Sequence, residues 1–325
     1  RWCVAFSRAG RLRLGRRRTR GRDLSGTFLL DKPTGITSNQ ALQRVRRLFD
    51  ANKAGHTGSL DPLATGVLPI CLGEATKFSR YLLDSDKSYR STFTLGVETD
   101  TGDCDGQITG SAGASALTID LICAAIDSFK GPIEQVPSMY SALKYQGQPL
   151  YKLARQGIEI ERSARPVEIF DYRVERFTAG RAAILEVYVH CSKGTYVRSL
   201  AEDLGAVLGC GAHVKRLHRC SAGAFNERQS MSLEVLQTYH DEGGPTSLDR
   251  FLLPVDAAIA DRPAAVLDDR AASLLLRGQA VISPEGFIPD LEADIVRVFR
   301  DDETFLGVAK LTDDGYLAPS RMVVA

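Results

Sequence analysis

From residue 26 onward, apolar positions follow helical or strand spacing through most of the chain. The run Gly26–Asn39 predicts a short strand, a Lys-Pro-x-Gly turn and a helix start, with Ser38 or Asn39 as the N-cap. The apolar residues between Ala41 and Phe49 then recur every three to four positions, which predicts that the helix continues there.

Further along, the pattern predicts alternating strands and helices. Ser88–Gly106 is typical of a strand that runs into an acidic, glycine-rich turn. Leu117–Phe129 has the spacing of an amphipathic helix, and Val167–Val174 and Ile184–Cys191 have that of strands. The latter part of Cys191–Gly209 is predicted to be helical.

A polar connection with glycine and proline, Gly243–Pro245, precedes a change in the pattern. After Pro254 the apolar runs are short and separated by turns, which is typical of a small β-rich domain. We therefore expect two domains, over residues 25–253 and 254–325.

The net charge of +1 conceals an uneven distribution, because residues 1–22 hold nine arginines and no acidic residue. We expect residues 1–24 to form a basic, disordered tail, although an organellar transit peptide has the same composition. The region after Pro254 is acidic. Nucleic-acid binding would therefore depend on local basic patches and not on overall charge.

No apolar run reaches the length of a membrane span. The seven cysteines are scattered, odd in number and without a C-x-x-C pair, which argues against a disulfide framework or a zinc site. This usage favours a reducing compartment and predicts a cytoplasmic protein.

The stretch AGHTGSLDPLATGVLP, Ala54–Pro69, places a single carboxylate among small and apolar residues. Asp61 could cap a following helix, or it could be a carboxylate nucleophile in a partly dry pocket. A buried carboxylate stays ionised only beside a cation, and Arg198 is one candidate among many. His56, Tyr89 and other single aromatic residues are equally compatible with structural roles. No P-loop, H-E-x-x-H, G-x-S-x-G or dinucleotide-binding motif is present.

Five motifs in order resemble those of the TruB family of tRNA pseudouridine synthases. They are LLDKPTGITSN, GHTGSLDPLATGVLP, DKSYR, PSMYSALKYQG and CSKGTYVRSLAEDLG. LLLRGQAV and GYLAPSRMVV resemble the PUA domain that follows the catalytic domain in bacterial members. The resemblance implies an α+β fold: a pseudouridine synthase domain with a central, mainly antiparallel mixed sheet flanked by helices, and a small β-rich PUA domain.

The resemblance also implies roles for single residues. Asp61 would attack or assist at the sugar, and Arg198 would pair with it. Tyr89 would stack on the target base and help to remove its C5 proton. The other positions that match the family are Tyr196 and Leu217 in the uracil pocket, His56 beside the everted nucleotide, and Lys32 and Pro33 in support of the active-site loop.

A base inside folded RNA has to be flipped out to reach a pocket, and phosphate contacts help to offset that cost. We expect those contacts from a basic segment beside His213 and His218, which contains Lys193, Arg198, Lys215, Arg216, Arg219 and Arg228.

The function implied is isomerisation of uridine 55 in the T loop of tRNA, without metal or organic cofactor. The expected partner is the T stem-loop; we expect a monomer with no membrane and no obligate protein partner. Two alternatives remain, an RNA-binding chaperone for tRNA folding and a guide-RNA-dependent synthase. A carboxylate glycosidase is a more distant one, because no second carboxylate is evident.

Overall fold

A computed structural model describes residues 21–285, 287 and 295–323. Residues 1–20 of the predicted tail lie outside the described residues. Arg22 forms an ion pair with Asp249 and donates to the carbonyl of Pro245 at 3.0 Å. The chain is therefore packed against the large domain from this point onward.

The described part of the chain contains seven α-helices. They are α1 (Ser38–Leu48), α2 (Ser79–Leu83), α3 (Ile119–Asp127), α4 (Leu150–Ala154), α5 (Val197–Val207), α6 (Leu233–Gly243) and α7 (Asp269–Leu276). Within those same residues, no helix has the length and apolar character needed to cross a bilayer.

The N-cap of α1 is Thr37, so the prediction of Ser38 or Asn39 is wrong. The Thr37 hydroxyl accepts from the backbone N–H of Gln40 at 3.1 Å, and the Gln40 side chain accepts from the Thr37 N–H at 2.8 Å. This capping box satisfies two otherwise unpaired donors, which selects Thr37 over its neighbours.

The strands make two principal sheets and two small hairpins. In chain order they are β1 (Gly26–Lys32), β2 (Ala54–His56), β3 (Thr65–Leu72), β4 (Lys87–Leu95), β5 (Glu98–Thr99), β6 (Ile108–Gly110), β7 (Gly131–Gln135), β8 (Lys144–Tyr145), β9 (Gln148–Pro149), β10 (Arg165–Thr178), β11 (Ala183–Cys191), β12 (Ala212–Ala222), β13 (Phe225–Asn226), β14 (Met231–Ser232), β15 (Ala264–Leu267), β16 (Val281–Ile282), β17 (Val296–Arg300), β18 (Phe305–Leu311) and β19 (Tyr316–Met322).

The large sheet has the order β14-β1-β3-β12-β4-β11-β10-β7, with β2 paired to β3 and β13 paired to β12. Only the β1–β14 and β3–β12 pairs of this sheet are parallel in the described residues. Helices α1, α3 and α5 pack against it. The predicted central sheet, mixed and mainly antiparallel, is confirmed.

The C-terminal region forms a separate five-stranded sheet in the order β15-β17-β18-β19-β16. Its own core includes Leu275 of α7, Val298 and Leu317. A small cluster in which Phe78 meets Ile259 joins it to the large domain. The predicted β-rich C-terminal domain is confirmed, whereas its assignment as PUA and the boundary at residue 254 stay predictions.

Candidate active site

The loop that carries Asp61 connects β2 to β3 and is tied to the start of α1. The Ser38 hydroxyl accepts from the backbone N–H of Leu60 at 2.7 Å and donates to the Leu60 carbonyl at 3.0 Å. The backbone of Asp61 accepts from the N–H of Ala64 at 3.0 Å. Gly58 adopts a φ of +77°, which favours glycine. Asp61 therefore precedes a strand, and the alternative that it caps a following helix is wrong.

Lys32, at the end of β1, holds the other side of this loop. Its side chain is fully buried, and Nζ donates to the carbonyls of Pro33 and Ala64, each at 2.8 Å. The N–H of Gly35 donates to the carbonyl of Pro62 at 2.8 Å. Burial lowers the pKa of Lys32 to about 8, against the opposing attraction of Asp61. The Lys-Pro-x-Gly turn and the Asp61 loop thus form one hydrogen-bonded unit.

Arg198, in the first turn of α5, meets Asp61 from the opposite side. Its Nε lies 2.9 Å from Asp61 Oδ2, and the side chains are 4% and 36% exposed, respectively. Its two terminal nitrogens donate to the carbonyls of Thr101 at 3.1 Å and Tyr140 at 2.9 Å. These carbonyls fix the guanidinium plane and leave Nε for the carboxylate, so the pair has a defined geometry.

Burial sets the electrostatics of Asp61, because it raises the pKa of the carboxyl above its ordinary value, although Arg198 and Lys32 oppose the shift. Asp103 adds to the rise by repulsion. Its Oδ2 lies 4.0 Å from Arg198 Nε, so Arg198 faces two carboxylates.

Sequence reasoning missed Asp103. It recognised the acidic turn after β4, but nothing in the local pattern shows that this turn reaches Arg198. Its side chain is buried and accepts from the Thr101 hydroxyl at 2.6 Å.

Tyr89 lies on β4 and is buried, 9% exposed, opposite Arg219 of β12 in the sheet register. Burial raises the pKa of Tyr89 to about 12, although the neighbouring Arg219 guanidinium opposes the rise. Tyr89 also feels the charge of Asp61, which places the two side chains in the same electrostatic environment.

Tyr196 is the N-cap residue of α5, two positions before Arg198. Its backbone is held by Gln135, whose side chain accepts from the Tyr196 N–H at 2.8 Å and donates to the Tyr196 carbonyl at 3.1 Å. Gln135 was not predicted, because only the tertiary pairing of β7 with the α5 start reveals it. It orients the turn that presents Tyr196 and Arg198.

His56 ends β2, on the other side of the loop. Its Nδ1 is buried and has no hydrogen-bond partner in the described part of the protein. Burial, together with the charge of Arg219, lowers the pKa of His56, so the ring is neutral at pH 7. The structure therefore buries one polar atom of this ring without a hydrogen bond, which is unusual in a folded protein.

A cavity of about 650 Å³ opens beside the loop. Leu217, 8% exposed, lies on its wall, as do Pro62 and Leu63 of the loop. Its charged and polar lining includes Arg90, Asp105, Glu175, Glu186, Lys215, Arg216 and His218. The volume is in the range of small-ligand pockets, and the loop of Asp61 forms one rim.

Two arginines of the predicted phosphate-binding segment are not at the surface. Arg198 and Arg219 are only 3% and 1% exposed, so neither can contact an RNA phosphate in solvent, and this part of the prediction is wrong. Lys215 and Arg216 are exposed beside the cavity. A register shift between Val214 and Arg216 changes the strand alternation before Arg219, and the sequence does not reveal it.

His218, Cys220 and Glu227 bring three potential metal-ligating atoms within 4.8 Å of one another. Arg90 occupies the same place, since its Nη1 donates to Glu227 at 3.2 Å and to the Cys220 sulfur at 3.6 Å. The His218 ring also bonds to Glu227 at 2.8 Å. The guanidinium supplies the positive charge here, so the residues fit an ion-pair network better than a metal site.

Family models match almost the entire described chain. The model for the N-terminal domain of TruB family pseudouridylate synthase matches residues 46–197. The tRNA pseudouridylate synthase B C-terminal domain model matches residues 198–260, and the model named pseudouridine synthase II TruB, C-terminal, matches residues 263–323.

Curated relatives match over nearly their full length. The tRNA pseudouridine synthase B of Saccharophagus degradans is 54% identical over 310 residues, which cover 95% of this chain and 99% of the relative. The protein of the same name from Pseudomonas aeruginosa is 50% identical over 302 residues, covering 93% and 97% of the two chains.

A solved structure shares the fold at lower identity. A chain in the structure of an H/ACA RNP bound to a substrate RNA containing 2'-deoxyuridine has a TM-score of 0.68 at 22% identity. The match covers 92% of this chain and 85% of the other. At this identity the likeness supports the fold alone.

Proposed function

This chain belongs to the TruB family of pseudouridylate synthases, and we propose that it converts uridine 55 in the T loop of tRNA to pseudouridine. The tRNA substrate follows from the name that its curated relatives carry. The observation that carries the proposal is the contact between Asp61 and Arg198, at 2.9 Å, because the loop of Asp61 borders a cavity.

The reaction breaks a glycosidic bond and re-forms a bond from the sugar to C5 of the same base. A single carboxylate suffices, because no water has to be activated and the detached base has to be kept. Asp61 attacks or assists at C1′ of the ribose. Arg198 keeps that carboxylate ionised and directed toward the sugar, while its own orientation is fixed by backbone carbonyls.

The remaining residues hold the everted nucleotide. Tyr89 stacks on the uracil and helps to remove its C5 proton, and Tyr196 and Leu217 line the base pocket. His56, at the end of β2 beside the Asp61 loop, helps to hold the flipped nucleotide. Lys32 and Pro33 support the loop and take no part in bond making.

The tRNA contacts are proposed at the cavity rim, where Lys215 and Arg216 are exposed. The enzyme works as a cytoplasmic monomer on the T stem-loop, without a metal, an organic cofactor, a guide RNA or a protein partner.

The test treats an unmodified tRNA transcript with the purified protein alone and maps pseudouridine by carbodiimide labelling and primer extension. The wild type is expected to give one stop in the T loop, and Asp61→Asn none. Asp249→Asn is the matched control, because Asp249 also pairs with an arginine but lies away from the cavity.

Two outcomes would contradict the proposal. Modification by Asp61→Asn at the wild-type rate would show that the carboxylate is not needed. Tight tRNA binding without any stop from the wild type would favour the RNA-folding chaperone instead.

A further inference from the structure

Arg219 is the largest fully buried side chain of the described protein, at 1% exposed. Its Nε donates to the carbonyl of Val67 at 2.7 Å, and one terminal nitrogen donates to the carbonyl of Gly58 at 3.3 Å. Val67 belongs to β3 and Gly58 to the Asp61 loop. Asp61 lies in this loop, shortly before β3. Arg219 therefore joins the loop of Asp61 to the strand that follows it.

No carboxylate in the described part of the chain lies within 4 Å of the Arg219 guanidinium. The Arg198 guanidinium, by contrast, has two carboxylates at or within that distance. A buried cation without a counter-ion is costly, typically by several kcal/mol. Burial accordingly lowers the pKa of Arg219. A buried charge that lowers the stability of the fold and lies beside the candidate active site is a candidate for a functional role.

The acidic group that faces Arg219 is the phenol of Tyr89. The two residues are opposite each other in the β4–β12 register, so their side chains lie on adjacent strands, and the charge of the guanidinium acts on the Tyr89 phenol. On the other side, β12 approaches β3 so closely that a Cβ on Gly66 would lie 2.3 Å from the Arg219 carbonyl oxygen. The position of Arg219 relative to Tyr89 is thus set by three adjacent strands.

We propose that Arg219 is a positioning residue that fixes the Tyr89 hydroxyl relative to Asp61 and stabilises negative charge on its oxygen. The inference rests on the proposed function. Tyr89 first loses its phenolic proton to solvent. It then takes the C5 proton of the rejoined base, and the C5–H electron pair returns to the pyrimidine ring. Without a neighbouring cation, a phenol this deeply buried would not release its own proton near neutral pH. It could then not take the C5 proton from the base.

The first test is a double-mutant cycle on the single-turnover rate with saturating enzyme. Arg219→Lys and Tyr89→Phe are each expected to lower the rate by about 10²-fold, in the range of general acid–base catalysis, with tRNA affinity unchanged. If Arg219 acts through the hydroxyl, the double variant is no slower than Tyr89→Phe alone. Multiplied losses, or a wild-type rate for Arg219→Lys, would overturn the proposal.

Arg46→Lys is the matched control, because Arg46 also donates to two backbone carbonyls, those of Ala51 and Asn52, but far from the cavity. It is expected to keep the wild-type rate. An inactive wild type would refute the proposed function, whereas an active wild type with multiplied losses refutes only the role of Arg219.

A second measurement needs no arginine variant. A fluorinated tyrosine is placed at Tyr89 or at Tyr172, a fully buried tyrosine whose hydroxyl has no hydrogen-bond partner in the described protein. Phenolate absorbance then follows the ionisation of each probe. The probe at Tyr89 should ionise about 1–3 pH units lower, the usual effect of a neighbouring cation. Equal midpoints would overturn the proposal.

Discussion

The two sheets of this protein differ in what they bury. The interior of the large domain contains the charged side chains of Lys32, Lys87, Asp103, Arg198 and Arg219. In the described residues after position 254, the one buried charged residue is Asp256.

Arg297 lies 2.9 Å from Asp256 and neutralises it. Both regions bury an apolar core against a mainly antiparallel sheet, so the difference does not come from architecture. Burying charge is unfavourable, and three of these side chains, those of Lys32, Asp103 and Arg198, act directly on Asp61. The unfavourable free energy of charge burial is therefore found mainly in the domain that contains the candidate active site.

The largest effect is expected from a change in Arg198, the buried cation that contacts Asp61. Arg198→Lys keeps the charge but loses the planar fork that binds the carbonyls of Thr101 and Tyr140 as well as the carboxylate. We expect the single-turnover rate to fall by about 10²–10³-fold, comparable to the loss of one preorganised donor. Rapid-quench assays with excess enzyme measure it.

The control for Arg198→Lys is tRNA affinity, measured by filter binding. Because Arg198 is buried, the dissociation constant should change by no more than about twofold. A large loss of affinity with an unchanged rate would contradict the role of Arg198 beside Asp61 and would show that Arg198 contributes to tRNA binding instead.

A smaller effect is expected for Lys32→Met, and it allows the change in unfolding free energy to be compared with the change in reaction rate. Lys32→Met leaves the buried carbonyls of Pro33 and Ala64 without a donor and should reduce the free energy of unfolding by ~2 kcal/mol. Because the Asp61 loop depends on these bonds, the rate should fall about tenfold. Urea unfolding and single-turnover kinetics give the two values.

Leu275→Ala, in the core of the C-terminal sheet, is the matched control. Leu275 is fully buried, and a large-to-small change there costs ~2–5 kcal/mol. Its rate should nevertheless equal that of the wild type under conditions where the protein is folded. Equal rate losses in both variants would mean that general destabilisation explains the effect of Lys32→Met.

Much of this organisation was predictable from the sequence. The sequence pattern predicted β1, β4, β10, β11, α3 and α5, and α3 and β11 in particular have one buried face. Asp61 stood out because a lone carboxylate among small residues is unusual. The choice of Arg198 among many arginines came from the family resemblance and not from periodicity.

The rest depends on tertiary pairing that local patterns do not encode. Asp103 reaches Arg198 only because the turn after β4 folds back over α5. Arg219 looks like a surface charge in sequence, but the irregular register of β12 turns it inward. Gln135 acts on the backbone of a residue 61 positions away. Such contacts require the assembled sheet.

The most direct test is the pH dependence of the wild-type single-turnover rate, because we infer that Asp61 works as a carboxylate kept ionised in a half-buried site. Burial raises the pKa of Asp61, so its ionised form is lost on acidification earlier than in an exposed aspartate, whose pKa is about 3.9. The rate should fall tenfold per pH unit below a midpoint above that value, while tRNA binding and the circular dichroism spectrum stay constant. A rate that stays flat through that range would contradict the claim.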